Sequence, residues 1–389
     1  MRKFYTLILL VFSIYGYSQD LVLKEQSYHT VSTILNSPTI DIDDALAIDS
    51  EGNLYGSNFG NYSGTSVYKI TPNNEVSVFI TGLKSPNGLA FDSNDNLFVV
   101  EFLGGAIHKY DKNGNLLKSY NVGGYPSGLV KDFYSDAMIF TNSLDSSVNK
   151  LLQDGSVITL HQGAPLLYPV GLTFDRDGKL FIGNYVGRQI YSLSTEGNLE
   201  YVATVPDSGT DFPYLAFITY ANGRLFATIY GEHKIYKVHP NKIDSVEVYS
   251  GSVYGGSDGY VSDATYAYPA GIIASKSGKE MYVSEYGGGN VRKITRGGMN
   301  DEVNEKISMS LSPNPVAERL KIKAEIPNKG NVNIKVVNLY GKMVFESKDF
   351  IENKSFTKEI NLKGLPVGVY NVLLFDDQNK ISKKIIVRK

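Results

Sequence analysis

Side chains that carry carboxylate or amide oxygens recur at corresponding points of a repeated segment of this chain. Such oxygens are the ligands that a hard divalent cation such as Ca²⁺ prefers. The predicted metal ligands are Asp44, Asn87, Glu101 and Glu285. The predicted contacts to another kind of ligand are Asn58, Asn142 and Asn184. The same residue types also hydrogen bond to the backbone of turns, so a structural role at these corners is the alternative interpretation.

Tyrosine side chains give a competing hypothesis, in which the site binds an organic ligand. The candidates are Tyr185, Tyr214 and Tyr286. Two of them directly follow the amide or carboxylate candidates Asn184 and Glu285. Aromatic rings beside amide and carboxylate groups suit sugars or extended peptides. The sequence therefore predicts a glycan, peptide or protein ligand.

Composition and motifs exclude several other kinds of chemistry. The chain has no Cys, so thiol catalysis and disulfide bonds are excluded. Its five histidines share no repeat position, and the sequence has no nucleophile elbow, phosphate-binding loop or zinc-protease motif. Residues 20 to 300 contain 29 Asp and Glu against 20 Lys and Arg, a net charge of −9, which argues against nucleic acid as a partner.

A repeat positions these candidate residues. Its opening segments are DDALAID at 43–49, PNGLAFD at 86–92, PSGLVKD at 126–132, PVGLTFD at 169–175, PYLAFIT at 213–219 and PAGIIAS at 269–275. Their spacing of 40 to 56 residues, with short apolar runs between turns, is typical of four-stranded propeller blades. Because neighbouring strands are antiparallel, the start of the first strand and the end of the second lie at the same end of a blade. The candidates are therefore predicted to meet at the mouth of the central channel.

The repeat predicts an all-β chain with a six-bladed β-propeller over residues 20–297. The sixth repeat has only three strands, and we expect the strand predicted within residues 28–38 to complete it and close the ring. The segment GGSDGYVSDATYAYPAGI at 255–272 resembles the NHL repeat. This resemblance implies an NHL-type six-bladed propeller. Such propellers include binding modules, scaffolds and a few enzymes, so the fold does not decide the activity.

A second resemblance concerns the first two repeats. Pro86-Asn87-Gly88 and Asp44 resemble the inner-strand metal ligands of the gluconolactonase and senescence-marker-protein propellers. The resemblance implies Ca²⁺ or another divalent cation and a lactonase-like reaction, in which the metal polarises a carbonyl and activates water. The later repeats depart from the pattern, because the residues at the equivalent positions ligate poorly or not at all; these are Ser127, Val170, Tyr214 and Ala270.

The last part of the chain, residues 308–389, follows a polar linker predicted at 298–307 and contains alternating strands separated by Gly, Pro and Asn turns. This pattern predicts a small immunoglobulin-like β-sandwich. The module resembles the type A C-terminal sorting domain of the type IX secretion system. The residues that carry this resemblance include Pro313, Asn314, Pro315, Gly341, Lys342, Gly368 and Tyr370. It implies the type IX secretion machinery as a partner and removal of the domain at the outer membrane.

The first 19 residues have a positively charged start, an apolar run and small polar residues, as a signal peptide does. No other stretch reaches the roughly 20 apolar residues of a transmembrane span. We therefore expect an exported protein, extracellular or at the cell surface, that binds a ligand at the channel face. The alternative is a metal-dependent lactonase-like hydrolase or lyase.

Overall fold

The computed structural model describes residues 29–296, 308–326, 329–338, 342–376 and 380–388. The predicted signal peptide (1–19) and linker (298–307) lie outside these residues. Within them, all regular structure is β-strand except two short 3-10 turns, Gly60–Tyr62 and Tyr230–Glu232. The prediction of an all-β chain is confirmed, because short alternating apolar runs between turn residues favour strands.

Five sheets of the N-terminal part are four-stranded antiparallel meanders. Sheet I contains β2 (Leu46–Ile48), β3 (Leu54–Ser57), β4 (Val67–Ile70) and β5 (Val76–Ile80). Sheet II contains β6 (Pro86–Phe91), β7 (Leu97–Glu101), β8 (Ala106–Tyr110) and β9 (Leu116–Asn121). Sheet III contains β10 (Pro126–Lys131), β11 (Met138–Asn142), β12 (Ser147–Leu151) and β13 (Val157–Gln162).

The remaining sheets of this part follow the same order along the chain. Sheet IV contains β14 (Pro169–Phe174), β15 (Leu180–Asn184), β16 (Gln189–Leu193) and β17 (Leu199–Thr204). Sheet V contains β18 (Leu215–Ala221), β19 (Arg224–Ile229), β20 (Lys234–Val238) and β21 (Val246–Ser250). Sheet VI has five strands in the order β22 (Gly259–Tyr260), β1 (His29–Leu35), β25 (Val291–Arg296), β24 (Glu280–Glu285) and β23 (Pro269–Ala274).

The first strands of neighbouring sheets approach each other closely, which explains the glycine of the repeated Pro-x-Gly. A Cβ atom on Gly88 would overlap the carbonyl oxygen of Ser127, and one on Gly128 would overlap that of Val170. Both glycines therefore serve close backbone approach between sheets. Apolar side chains fill the space farther out, as Ile107 of sheet II and Met138 of sheet III do in one fully buried cluster.

The N-terminal strand belongs to the last sheet. Strand β1 pairs antiparallel with β25, with His29 opposite Arg296 and Leu35 opposite Val291. The predicted completion of the last sheet by this strand is confirmed. The short strand β22 on the other side of β1 was not predicted. On the first-strand side, the hydroxyl of Ser284 in sheet VI donates to the Asp44 carbonyl at the start of sheet I.

The C-terminal part consists of two sheets that share one apolar core. The first contains β26 (Ser308–Ser312), β27 (Arg319–Glu325) and β30 (Ser355–Asn361). The second contains β28 (Gly330–Asn338), β29 (Met343–Ile351), β31 (Gly368–Phe375) and β32 (Lys380–Val387). Strand β27 alternates exposed and buried residues, as a strand with one face on a core must.

Several residues of the predicted sorting signal form hydrogen bonds that stabilise turns of the C-terminal part. Asn314, between Pro313 and Pro315, donates to the Lys384 carbonyl at 3.0 Å and accepts from the backbone N–H of Ile386 at 2.9 Å. It thereby ties the loop after β26 to the last strand. The Tyr370 hydroxyl donates to the Pro366 carbonyl at 2.9 Å, across the turn before Gly368.

Lys342, a further residue of the predicted signal, directly precedes β29. The backbone N–H of Lys342 donates to the Asn338 side chain at 3.0 Å. Gly341 lies outside the described residues.

The two parts of the chain touch at the turn between β10 and β11. Phe133 and Tyr134 of this turn pack against Val337, Leu373 and Phe375 of the C-terminal part. The side-chain amide of Asn371 donates to the Tyr134 carbonyl at 2.8 Å. The corresponding turn of sheet I carries the polar pair Ser50-Glu51, so the aromatic pair is a local departure from the repeat.

Candidate functional site

Asp44 and Asn87 lie together at the start of the first strands of sheets I and II. The Asn87 amide donates to an Asp44 carboxylate oxygen at 3.0 Å. Asn87 is 6% exposed, and its side-chain oxygen is buried and has no hydrogen-bond partner. This pair is the centre of the mouth cluster, which also contains Asp41, Asp43, Tyr185, Tyr230 and Tyr286.

Three carboxyl groups of the mouth cluster have raised pKa values. Burial and the nearby Asp41 charge raise the pKa of Asp43 to about 7, although its oxygens accept from the backbone N–H groups of Phe59 (2.6 Å) and Gly60 (2.8 Å). Burial and the Asp43 charge raise the pKa of Asp44 well above its ordinary value. Burial also raises the pKa of Asp41. Burial at this site therefore disfavours the charged form of these carboxyl groups when nothing else is bound.

Tyrosine hydroxyls approach these carboxyl groups. Burial and then the Asp44 charge raise the pKa of Tyr185, whose ring stacks on Tyr214 with centroids 4.4 Å apart. Tyr230 and Tyr286 hydrogen bond through their hydroxyls, and their ring centroids are 5.1 Å apart. Burial raises the pKa of both phenols, and the Asp43 charge contributes. The mouth cluster thus combines carboxyl, amide and phenol oxygens with aromatic faces.

The second-strand ends engage a different set of partners. Four of them accept a hydrogen bond from a backbone N–H of the loop that enters the first strand of their own sheet. The pairs are Glu101 with Lys84 (2.9 Å), Asn142 with Tyr125 (3.0 Å), Asn184 with Leu167 (3.0 Å) and Glu285 with Ala267 (3.3 Å). In sheet V, where Ile229 ends the second strand, Glu232 accepts from Ser208 at 3.0 Å instead. This hydrogen bond is the corner role that the sequence left open as an alternative.

Asn58 makes the equivalent corner contact in sheet I through a side chain. Its amide donates to an Asp41 carboxylate oxygen at 3.1 Å, and Asp41 belongs to the segment that leads into β2. Asn58 therefore adjoins the mouth cluster, whereas no hydrogen bond joins Asn142 or Asn184 to it among the described residues.

The four predicted metal ligands do not form one site. Asp44 and Asn87 meet, but the second carboxylate oxygen of Glu101 lies 3.4 Å from His108 and Glu285 binds the Arg292 guanidinium at 2.9 Å. Across the described part of the chain, no three His, Cys, Asp or Glu residues are grouped so as to hold a metal ion. Because Ca²⁺ takes six to eight oxygen ligands, this set does not fit a calcium site.

Sequence reasoning missed two aromatic residues of this face, Tyr230 and Phe212. Tyr230 lies in a 3-10 turn that has no counterpart in the repeat. Tyr168, Phe212 and Tyr268, each directly before a proline that begins or leads into a first strand, have positive φ angles of 48°, 59° and 55°. Bulky residues rarely adopt this conformation, which marks the ring of loops around the mouth as a specialised surface. The detectable signal was the recurring aromatic-Pro pair.

Exposed rings continue this surface outward from the mouth cluster. Tyr168 and Phe212 are 51% and 59% exposed, and Tyr62 and Tyr254 are 57% and 59% exposed. Rings also contact each other from sheet to sheet, as Phe102 and Tyr125 do with centroids 5.1 Å apart. We call this outer set the aromatic rim: Tyr62, Tyr125, Tyr168, Phe212 and Tyr254.

The C-terminal part defines how the protein leaves the cell. Residues 310–388 match the family of secretion system C-terminal sorting domains. This match confirms the sorting module predicted at 308–389, and it indicates export by type IX secretion to the cell surface or extracellular space. No described helix is long and apolar enough to cross a membrane. The chain is thus an exported protein with a C-terminal sorting domain.

Solved structures of low sequence identity share the fold of the N-terminal part. A protein of unknown function from Bacteroides thetaiotaomicron has a TM-score of 0.57 at 16% identity, with 69% of this chain and 76% of that chain covered. An auxiliary nutrient binding protein from Bacteroides ovatus has a TM-score of 0.54 at 13% identity, covering 69% and 77%. A gluconolactonase from Xanthomonas campestris has a TM-score of 0.51 at 17% identity, covering 68% and 89%.

These likenesses support a β-propeller for the N-terminal part of this chain, and at such identities they carry no activity over to it. No curated protein sequence matches the chain.

Proposed function

We propose that this protein is an exported binding protein whose sheets I to VI are the blades of a closed six-bladed NHL-type propeller, and that the propeller binds a glycan, peptide or protein at its mouth. The first strands support the closed ring, because they contact one another in the order β2, β6, β10, β14, β18 and β23, and β23 contacts β2. The sandwich, for which we propose an immunoglobulin-like topology, serves export.

The observation that carries the binding proposal is the aromatic rim around the mouth cluster. Exposed rings such as Tyr168 and Phe212 bury apolar area when a sugar or peptide covers them. The phenol and carboxyl oxygens of Tyr185, Tyr286 and Asp44 can fix the orientation of such a ligand. Asn58, Asn142, Asn184 and Tyr214 remain candidate contacts. One protein of this fold, from Bacteroides ovatus, is described as nutrient binding.

A glycan and peptide array tests this proposal. The chain without its predicted signal peptide should bind a subset of the array, and Tyr185→Ala and Tyr286→Ala should weaken that binding by about tenfold each. Tyr201→Ala is the matched control, because Tyr201 is a partly exposed tyrosine on the outer strand β17. An array without hits, or equal effects of all three substitutions, would contradict the proposal.

A lactonase-like hydrolase or lyase is the second candidate function. The Asp44–Asn87 pair favours it, because a buried carboxyl with a raised pKa can act as a general acid at neutral pH. The fold is shared with a gluconolactonase, for which the activity is stated of that protein alone. A panel of lactones, with and without Ca²⁺, tests this candidate. Turnover that Asp44→Asn abolishes without lowering the Tm would support it, and no turnover under either condition would end it.

A further inference from the structure

We propose that the mouth cluster binds a protonated amino group, so that the ligand of this propeller carries an ammonium. The inference rests on the proposed binding function and specifies the chemistry of the ligand. Three features support it: the oxygen acceptors of the mouth cluster, the aromatic rings beside them, and the ion pairs that Arg188 and Lys234 already form.

Hydrogen-bond acceptors outnumber donors in the mouth cluster. Asp41, Asp43 and Asp44 contribute six carboxyl oxygens, of which four accept a hydrogen bond, and none of the ion pairs formed by described residues includes them. The Asn87 side-chain oxygen, in a residue that is 6% exposed, has no partner although the amide nitrogen of the same side chain binds Asp44. A buried acceptor without a donor is costly, and a ligand N–H group would satisfy it.

The aromatic side chains add attraction for a positive charge. Tyr185 and Tyr214 stack at 4.4 Å, and Tyr230 and Tyr286 lie 5.1 Å apart. The face of a tyrosine ring attracts a cation through its quadrupole, and this attraction grows when water is excluded. Phenol oxygens also accept hydrogen bonds from an ammonium group. Carboxyl oxygens and aromatic rings together thus complement an organic cation.

Two positively charged residues of this face, Arg188 and Lys234, are committed to other partners. The Arg188 guanidinium binds the carbonyls of Val205 and Pro213 and the Asp207 carboxylate at 3.1 Å. Lys234 lies 3.6 Å from Glu232. An anionic ligand would therefore meet the Asp43 and Asp44 carboxyl groups, and neither Arg188 nor Lys234 is free to bind it. A neutral polyol would not stabilise the ionised form of these carboxyl groups, whereas an ammonium would.

Two sources supply the same ammonium chemistry at a cell surface. One is an amino sugar with a free amino group, and the other is a peptide lysine or amino terminus. Each source has an acetylated counterpart that keeps the shape and loses the charge. The two pairs of probes are oligoglucosamine with its N-acetylated form, and trilysine with tri-(acetyl-lysine).

Isothermal titration of residues 20–389 with these four probes tests the inference. At least one charged probe should bind about tenfold more tightly than its acetylated form, and Asp44→Asn should remove this preference. Tyr185→Ala should weaken binding of the charged probe, whereas Tyr185→Phe, which keeps the ring, should retain most of it. Glu75→Gln is the matched control, because it removes one carboxylate at the exposed turn between β4 and β5 and tests for general attraction to the acidic propeller.

The outcomes separate this inference from the proposed function. Failure of both charged probes to bind, equal binding of charged and acetylated probes, or a preference that survives Asp44→Asn overturns the ammonium assignment. If a neutral array ligand nevertheless binds and Tyr185→Ala weakens it, the binding function stands. If no probe and no array ligand binds, both fail. Thermal melting of each variant establishes that loss of binding is not loss of folding.

Discussion

Asp43 is a carboxyl group of the mouth cluster whose burial disfavours its charged form. Its carboxyl oxygens accept hydrogen bonds from the backbone N–H groups of Phe59 and Gly60. The side chain therefore also stabilises the loop after β3. Burial still outweighs these hydrogen bonds and raises the pKa of Asp43 to about 7. A residue that could have been placed in a solvated turn is therefore a buried group next to the channel.

The raised pKa of Asp43 predicts a pH-dependent loss of stability. The unfolded chain ionises this carboxyl near pH 3.8, whereas the folded protein holds the proton until about pH 7. The folded state therefore binds more protons between these values, and its stability falls as the pH rises through this window, by at most about 4 kcal/mol from this group. Thermal melts from pH 4 to 8 should show a smaller decline for Asp43→Asn than for the unmodified protein.

Asp111→Asn is the control for this experiment. Hydrogen bonds from Asn115 lower the pKa of the exposed Asp111 carboxyl, so this substitution should leave the decline between pH 4 and 7 unchanged. Parallel melting curves for Asp43→Asn and the unmodified protein would contradict the placement of Asp43.

At the scale of elements, one buried arginine joins three segments of the last sheet. Arg292 of β25 is fully buried and binds Glu285 at 2.9 Å and Asp258 at 2.7 Å. Asp258 in turn accepts from the backbone N–H and the hydroxyl of Thr33 in β1. The segment between β21 and β23 is thereby fastened to the strand that completes the sheet.

Replacing this arginine should destabilise the protein strongly. Arg292→Met leaves the Glu285 carboxylate, which is 0% exposed, without its cation, and such a loss costs about 3 to 5 kcal/mol. Arg319→Met is the control, because Arg319 pairs with Glu359 on the surface and should change the free energy of unfolding by less than about 1 kcal/mol. Urea denaturation measures both, and similar values for the two variants would refute this role of Arg292.

The pairing of β1 with β25 gives a second prediction at this scale. Deleting residues 20–35 exposes the backbone N–H and C=O groups of β25, which otherwise pair with β1. The truncated protein should melt several degrees lower and associate with increasing concentration, as scanning calorimetry and light scattering would show. A truncated protein that stays monomeric with an unchanged Tm would exclude closure by this strand.

The repeat in the sequence was enough to predict these elements but not the orientation of their polar side chains. First and second strands, and the return of β1 to the last sheet, follow from spacing and alternation. Glu101 and Asn87 both stand at ends of strands, yet Glu101 holds the backbone N–H of Lys84 while Asn87 binds Asp44. These hydrogen-bond partners depend on the geometry of the loops, which does not repeat along the chain. Tyr230 was not predicted as a site residue because it lies in an irregular turn.

At the scale of the whole molecule, the two parts have separate apolar cores. The sandwich core contains residues such as Leu320 and Val372, and none of the described residues of the N-terminal part belongs to it. The two parts share one small cluster, in which Phe133 and Tyr134 meet Val337, Leu373 and Phe375. The N-terminal part should therefore fold without the sorting domain.

Residues 20–297 alone should keep the Tm of the corresponding transition within a few degrees and retain ligand binding. Removal of the sorting domain uncovers Phe133 and Tyr134, so this fragment should bind a hydrophobic dye more strongly than the full chain. The double substitution Phe133→Ser and Tyr134→Ser should abolish the difference in fluorescence. An unfolded fragment would contradict this division of the chain. Dye binding that the double substitution does not change would also contradict it.

The partnership of β1 and β25 also sets an order of events during biosynthesis. Strand β1 is made early, yet its partner at Val291–Arg296 is made some 260 residues later, immediately before the segment that leads to the sorting domain. Synthesis that stops before β25 leaves β1 without this partner and the chain without the C-terminal sorting domain. Every chain that carries the complete sorting domain therefore also contains the partner strand of β1.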